Sequence, residues 1–158
     1  MHRREALIKT YNNPWKFRLG MWLRLPSIAF WNVKLESFDH QECVVSLKYG
    51  WTTKNPFGSL YFAAMAGAGE LSTGLLSTVI SSSWGEWSML VTDIQAEYYK
   101  KATGRVYFHC EDGDELHEFL TQLVNEGKPG TIGLVSTARN AEKIMVARIF
   151  VKWSFKLK

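Results

Sequence analysis

The sequence has no Gly-x-Ser-x-Gly turn, no glycine-rich phosphate loop and no acidic loop with calcium-ligand spacing. These absences argue against an elbow-type serine hydrolase, a P-loop nucleotide enzyme and a calcium-loop protein. His2, His40, His109 and His117 show no pairing at metal-ligand spacing, and Cys43 and Cys110 are the only cysteines. No metal is expected, and both thiols are expected to be reduced core residues. A continuous apolar run near the N-terminus is also missing, because Lys16, Arg18 and Arg24 interrupt the segment from Trp15 to Leu25. No signal peptide is expected, and a cytoplasmic location follows as the default.

Acidic residues are scarce in one region. Residues 1–25 carry six Arg or Lys against Glu5 alone, although the whole 158-residue chain has a net charge of only +4. Such a basic, Trp-bearing end suits nucleotide phosphates, nucleic acid or an anionic membrane surface, or it is simply a solvated helix face. No nucleic-acid recognition motif accompanies it, so nucleic acid is not an expected partner. A weak peripheral membrane contact through the N-terminus is the remaining expectation of this kind.

Charge is lacking most completely between Asn55 and Trp84, thirty residues with Glu70 as the only ionised side chain. That segment is rich in Gly, Ala and Ser, as expected of a helix surrounded by protein that other backbones approach closely. A membrane span is the rival reading. Eight Ser or Thr between Ser59 and Ser83, together with Glu70 near the middle, oppose it. Glycines inside a helix cost about 1 kcal/mol each against alanine, so Gly67, Gly69 and Gly74 require a packing reason. A sheet wrapped around the helix supplies one.

The remaining chain reads as strands with two helical interruptions. Residues 3–11 and Pro14 to Leu25 suggest two short helices, with Phe17, Met21 and Leu25 on a face that packs as an arm on the body. Segments 29–38 and 42–49 form a hairpin pattern, and 88–99, 105–111, 131–139 and 144–157 are extended. In the last of these Met145, Ala147, Ile149, Val151, Trp153, Phe155 and Leu157 alternate with polar residues, the mark of a half-covered antiparallel sheet. Asp114 to Glu126 reads as an amphipathic helix stopped by Gly127.

Six antiparallel strands around one long helix, with the run Asn55-Pro-Phe-Gly58-Ser59-Leu60-Tyr61 and Glu70 nine residues beyond Tyr61, resemble the hotdog acyl-CoA thioesterases of the phenylacetate-pathway type. The segment from Val91 to Gly104, with Tyr98-Tyr99 and Ala102-Thr-Gly104, looks like the next strand of that family. A related hotdog subfamily of unknown function, which keeps Gly-Ser before the helix and a Glu within it, is similar too. The likeness spans roughly residues 28 to 157, and it has departures. Tyr61-Phe62-Ala63 stand where the thioesterases have His-Gly-Gly, and Lys101 stands where they have proline.

The resemblance implies an α+β hotdog fold, with about six antiparallel strands wrapped around a central helix at about residues 58–82. Residues 1–26 form a helical arm on the same domain and 27–158 the hotdog domain. The implied function is hydrolysis of an acyl-CoA or acyl-carrier thioester, with coenzyme A entering only as part of the substrate and no cofactor. The alternative is a hotdog dimer that binds acyl-CoA or a fatty acyl chain without turnover.

Hydrolysis requires donors for the developing oxyanion and a base or nucleophile. Helix-start N–H groups near Gly58 to Tyr61 offer the donors, with Gly58, Leu60 and Phe62 in contact with substrate. Glu70 is either the base or nucleophile or a buried structural carboxylate. Asn55 either orients water or caps the helix entry; Ser59 is an N-cap or a donor to the substrate carbonyl; Tyr61 packs or donates its phenolic proton. Eleven residues of helix place Ser59 about 16 Å from Glu70. The family resolves such a gap by dimerising, so a homodimer, or a tetramer of such dimers, with composite sites is expected.

Overall fold

The computed structural model describes residues 2–158. Three helices open the chain: α1 (His2–Tyr11), α2 (Pro14–Arg24) and α3 (Pro26–Phe30). Proline stands at the start of both α2 and α3, where its missing N–H costs nothing. Asn13 caps α2, its side-chain oxygen accepting from the Lys16 N–H at 3.1 Å.

Expectation and structure diverge after α2. Residues 29–30 belong to a helix and not to the first strand, because Pro26 restarts helical geometry and Ile28 anchors the short turn in the core. Asn32 then takes a positive φ of 54°, which turns the chain into β1 (Lys34–Phe38). Of the anticipated arm face, Phe17 and Met21 are buried, but Leu25 is exposed at the junction of α2 and α3, and Ile28 takes its place.

The strands β1, β2 (Cys43–Lys48), β3 (Trp87–Tyr98), β4 (Arg105–Cys110), β5 (Gly130–Asn140) and β6 (Met145–Leu157) form one antiparallel sheet in the order β1-β2-β4-β5-β6-β3. On its concave face lies α4 (Phe62–Ser81), packed against β2, β4, β5 and β6. A further helix, α5 (Gly113–Glu126), covers β5 and the side of α4, and ends at Gly127 with a φ of 64°. Cys43 and Cys110 face each other across β2 and β4 as buried free thiols; burial pushes that of Cys110 up to about 12, so both are unreactive core residues. Among the described residues no helix is long and apolar enough to cross a membrane.

The predicted alternation of β6 holds from Ala147 to Phe155, whose inward residues are all buried. The helical glycines find their reasons there. A Cβ on Gly69 would stand 2.5 Å from Ile149, and one on Gly74 3.2 Å from Trp153 and 3.3 Å from Glu70 Oε1, while Gly67 lies under Trp31 after α3 and not under the sheet. Close approach also lets Ser72 Oγ on α4 donate to Ser136 Oγ on β5 at 2.8 Å. Gly20, by contrast, has open space around it inside α2.

These surroundings give opposite signs to the same substitution. Gly69→Ala is expected to destabilise the protein by about 1 to 2 kcal/mol, overpacking against β-branched Ile149 outweighing the helix-propensity gain. Gly20→Ala should stabilise it by up to about 1 kcal/mol. Urea unfolding of the two variants against the wild type measures both.

Candidate active site

The central helix begins four residues later than expected. Residues before it form a loop closed on itself: Lys54 pairs with Leu60, and Asn55 ties the turn together. Asn55 Nδ2 donates to Ser59 Oγ at 3.0 Å and to the Leu60 carbonyl at 3.1 Å; its Oδ1 accepts from the N–H of Phe57 at 2.9 Å and of Ser59 at 3.2 Å. Such Asx geometry competes with helix, and Gly58 at a φ of 74° completes the turn. Asn55 therefore spends its amide on the loop and does not cap a helix. Ser59 is buried in the loop and is not the N-cap, a position taken by Tyr61 without a side-chain capping bond.

This shift relocates the free donors. The N–H groups from Gly58 to Tyr61 are all engaged, with Asn55 O, Asn55 Oδ1, Ala102 O and Thr53 O respectively. Among the described residues the first-turn amides of Phe62, Ala63 and Ala64 have no backbone acceptor, and they carry the positive end of a twenty-residue helix. Phe62, the first of them, lines a cavity of about 490 Å³ together with Ser59, Leu60, Tyr61, Met65, Tyr98 and neighbours. Tyr61 and Phe62 are 41% and 59% exposed and stack edge-on at 4.9 Å. The Tyr98 hydroxyl donates to the Phe62 carbonyl at 3.0 Å, and Lys101 Nζ to the Phe57 carbonyl at 3.1 Å. Sequence reasoning missed Tyr98 as a site residue; its signal was the aromatic pair ahead of Ala102-Thr-Gly104.

Glu70 lies elsewhere. Its carboxylate borders a second cavity, of about 640 Å³, between α4 and the arm, with Tyr11, Phe17, Leu71, Gly74, Met89 and Trp153 on the walls. Trp153 is fixed by its indole N–H, which donates to Thr73 Oγ1 at 2.9 Å, and Thr73 Oγ1 donates to the Glu70 carbonyl at 2.8 Å. No hydrogen bond to the carboxylate is found among the described residues. Burial pushes its proton affinity above that of an ordinary glutamate. The aliphatic and aromatic walls from the arm were beyond sequence reasoning, since nothing in residues 7–25 names α4 as their partner.

The two cavities share no residue. From the Tyr61 cap to Glu70 is nine residues, or about 13 Å along the axis. One chain thus holds an array of donors at one place and a carboxylate acceptor at another.

Comparison with solved structures assigns the architecture. A protein of unknown function from Pseudomonas aeruginosa, described as a "probable thioesterase", superposes with a TM-score of 0.77 at 15% identity, over 90% of this chain and 95% of its own. A thioesterase from Haemophilus influenzae superposes with a TM-score of 0.65 at 13% identity over 87% of each chain. A thioesterase enzyme from Staphylococcus aureus does so with a TM-score of 0.65 at 18% identity, over 82% of this chain and 98% of its own. Together with the strand order, these define the architecture as the hotdog fold. By sequence it belongs to the family described as a domain of unknown function (DUF4442), whose model matches residues 14–154. No curated protein matches it.

The sign of the Glu70 effect on stability follows from its raised affinity. The native state binds the proton more tightly than the unfolded chain, so stability is full below the ordinary glutamate value and falls as pH rises through the native one. Glu70→Gln is expected to melt a few degrees above the wild type at pH 7, with the gain vanishing toward pH 4. Thermal unfolding at several pH values measures it.

Proposed function

We propose that the protein hydrolyses an acyl thioester, acyl-CoA or an acyl-carrier conjugate, at two composite sites of a homodimer. Glu70 serves as base or nucleophile, and the Phe62 and Ala63 amides stabilise the oxyanion. The observation that carries this reading is the cavity-facing carboxylate of Glu70, without a hydrogen-bond partner among the described residues, on the same helix whose N-terminal residue Phe62 lines a separate cavity.

The missing half of each site is what a second copy supplies. Ala63, Ala66, Glu70, Gly74 and Thr78 recur every three or four residues along the side of α4 that the sheet leaves uncovered. Beside them, β3 is a twelve-residue edge strand, and its concave residues Ile94 and Tyr98 remain exposed although their cross-strand partners Val151 and Ala147 are fully buried. A long edge with an apolar inner face is a template for strand pairing. Joining two such edges brings the open sides of two α4 helices together, so that the helix start of one chain meets the carboxylate of the other.

In the composite site the amide dipoles act on charge that develops only in the transition state, where they contribute most. Glu70, held in a largely apolar cavity, takes the proton of an attacking water, which yields the free acid directly, or attacks the carbonyl itself to form an anhydride that water then hydrolyses to the acid and free Glu70. In both cases the thiolate leaves, taking up a proton, with the helix dipole still facing the acyl oxygen. Asn55 positions the loop that presents Tyr61 and Phe62. In the Staphylococcus aureus thioesterase, the glutamine and the glutamate that were replaced by alanine stand fifteen positions apart, the separation of Asn55 and Glu70 in this chain.

The test is thiol release from a panel of acyl-CoA thioesters. Glu70→Gln should lower kcat at least about a hundredfold, and the acid limb of the pH profile should lie above the ordinary glutamate value. Phe62→Pro removes one amide donor at a position where proline suits the helix, and should cost about 100- to 1000-fold in kcat, whereas Phe62→Ala keeps the donor and most of the activity. Mixing the two dead variants restores about a quarter of wild-type activity if the sites are shared between chains, because half the dimers are mixed and each mixed dimer holds one intact site. Saturable acyl-CoA binding without thiol release would mark the protein as an acyl-binding dimer instead.

A further inference from the structure

The helix α2 carries two apolar faces, and the core uses only one. Phe17 and Met21 point inward and are buried. Trp15, Leu19, Trp22 and Leu23, at the i, i+4, i+7 and i+8 spacing of a second stripe, point the other way and are 82%, 62%, 49% and 76% exposed. Phe30 on α3, the helix packed next to α2, is exposed as well. A cluster of large exposed side chains of this kind marks a contact surface.

The charges around it identify the partner. At 3.6 residues per turn, Lys16 falls on one flank of the stripe and Arg18 on the other. From residue 6 to residue 35 the chain has Lys9, Lys16, Arg18, Arg24 and Lys34 and no carboxylate. Two copies of so basic a face repel each other, which argues against self-association here. Tryptophan in the stripe with cations on both flanks is the pattern of a helix lying in the headgroup layer of an anionic bilayer. A second feature points to lipid: Leu19 and Leu23 also wall the cavity beside Glu70, so the apolar stripe continues into a chamber of about 640 Å³.

We propose that α2 and α3 dock the protein on anionic membrane surfaces, with Trp15, Leu19 and Trp22 inserted at the acyl boundary and Lys16 and Arg18 on the lipid phosphates. The surface stands independently of the chemistry at Glu70.

The test is co-sedimentation of the full chain with vesicles of phosphatidylcholine alone or with about 30% phosphatidylglycerol. Wild type is expected to bind the anionic vesicles, to ignore the neutral ones, and to dissociate as salt rises from about 0.1 to 0.5 M. Trp15→Ser/Trp22→Ser and, separately, Lys16→Glu/Arg18→Glu should each bind at least about tenfold more weakly, with unchanged circular dichroism; neither pair contributes to the core. Absence of wild-type binding, equal binding by both variants, or a change in oligomeric state in the Trp variant would each overturn the proposal. The last would assign the face to another protein chain.

Discussion

The structure depends on how closely α4 can approach the sheet. Hotdog geometry asks a twenty-residue helix to lie in the concave side of six strands, and the distance is set where Gly69 meets Ile149. Bulk at that point would lift the helix and open the Ser72–Ser136 hydrogen bond, leaving the Ser136 hydroxyl buried without a partner while Ser72 keeps its bond to the Gly69 carbonyl. The price of this approach is a helix with few large side chains. It must then be stabilised almost entirely by burial, and the Leu71, Leu75, Leu76, Val79 and Ile80 cluster supplies that on the covered side.

What the sheet does not cover defines the site. The open side of α4 repeats small residues except at Glu70, so the one large polar group on that side stands in a gap instead of against a neighbour. Without a donor to hold it, and with Trp153 and Met89 beside it, its charge is poorly solvated. A group in that state is a stronger base than a solvent-exposed glutamate. The described residues offer this carboxylate no backbone donor.

Much of this was legible in the sequence because it follows from periodicity. The two-residue alternation of β6 and the charge-poor run from Asn55 onward both translate directly into elements, and the glycines at 69 and 74 announced a close neighbour. The helix start was not legible. Residues 55–61 are as poor in charge as the helix itself, and only the side-chain bonding of Asn55 and the pairing of Lys54 with Leu60 make them a loop. Segment 29–38 misled for a similar reason: its apolar residues suit a strand, but Pro26 and the positive φ of Asn32 spend the first of them on a helical turn. The cavity at Glu70 joins residues sixty and more positions apart, which no local pattern encodes.

The late start of α4 has a chemical consequence. Had the helix begun at Gly58, its free amides would lie in a segment with flexible glycine and a small hydroxyl, open to water on several sides. Starting at Phe62 places the donors behind two aromatic rings, Tyr61 and Tyr98, the second held by its bond to the Phe62 carbonyl. Rings in these positions replace part of the water around the dipole's positive end with apolar surface, and an electrostatic interaction strengthens as the local dielectric falls. Tyr61 and Phe62 thus leave the first-turn amides without a partner among the described residues while narrowing the approach to them.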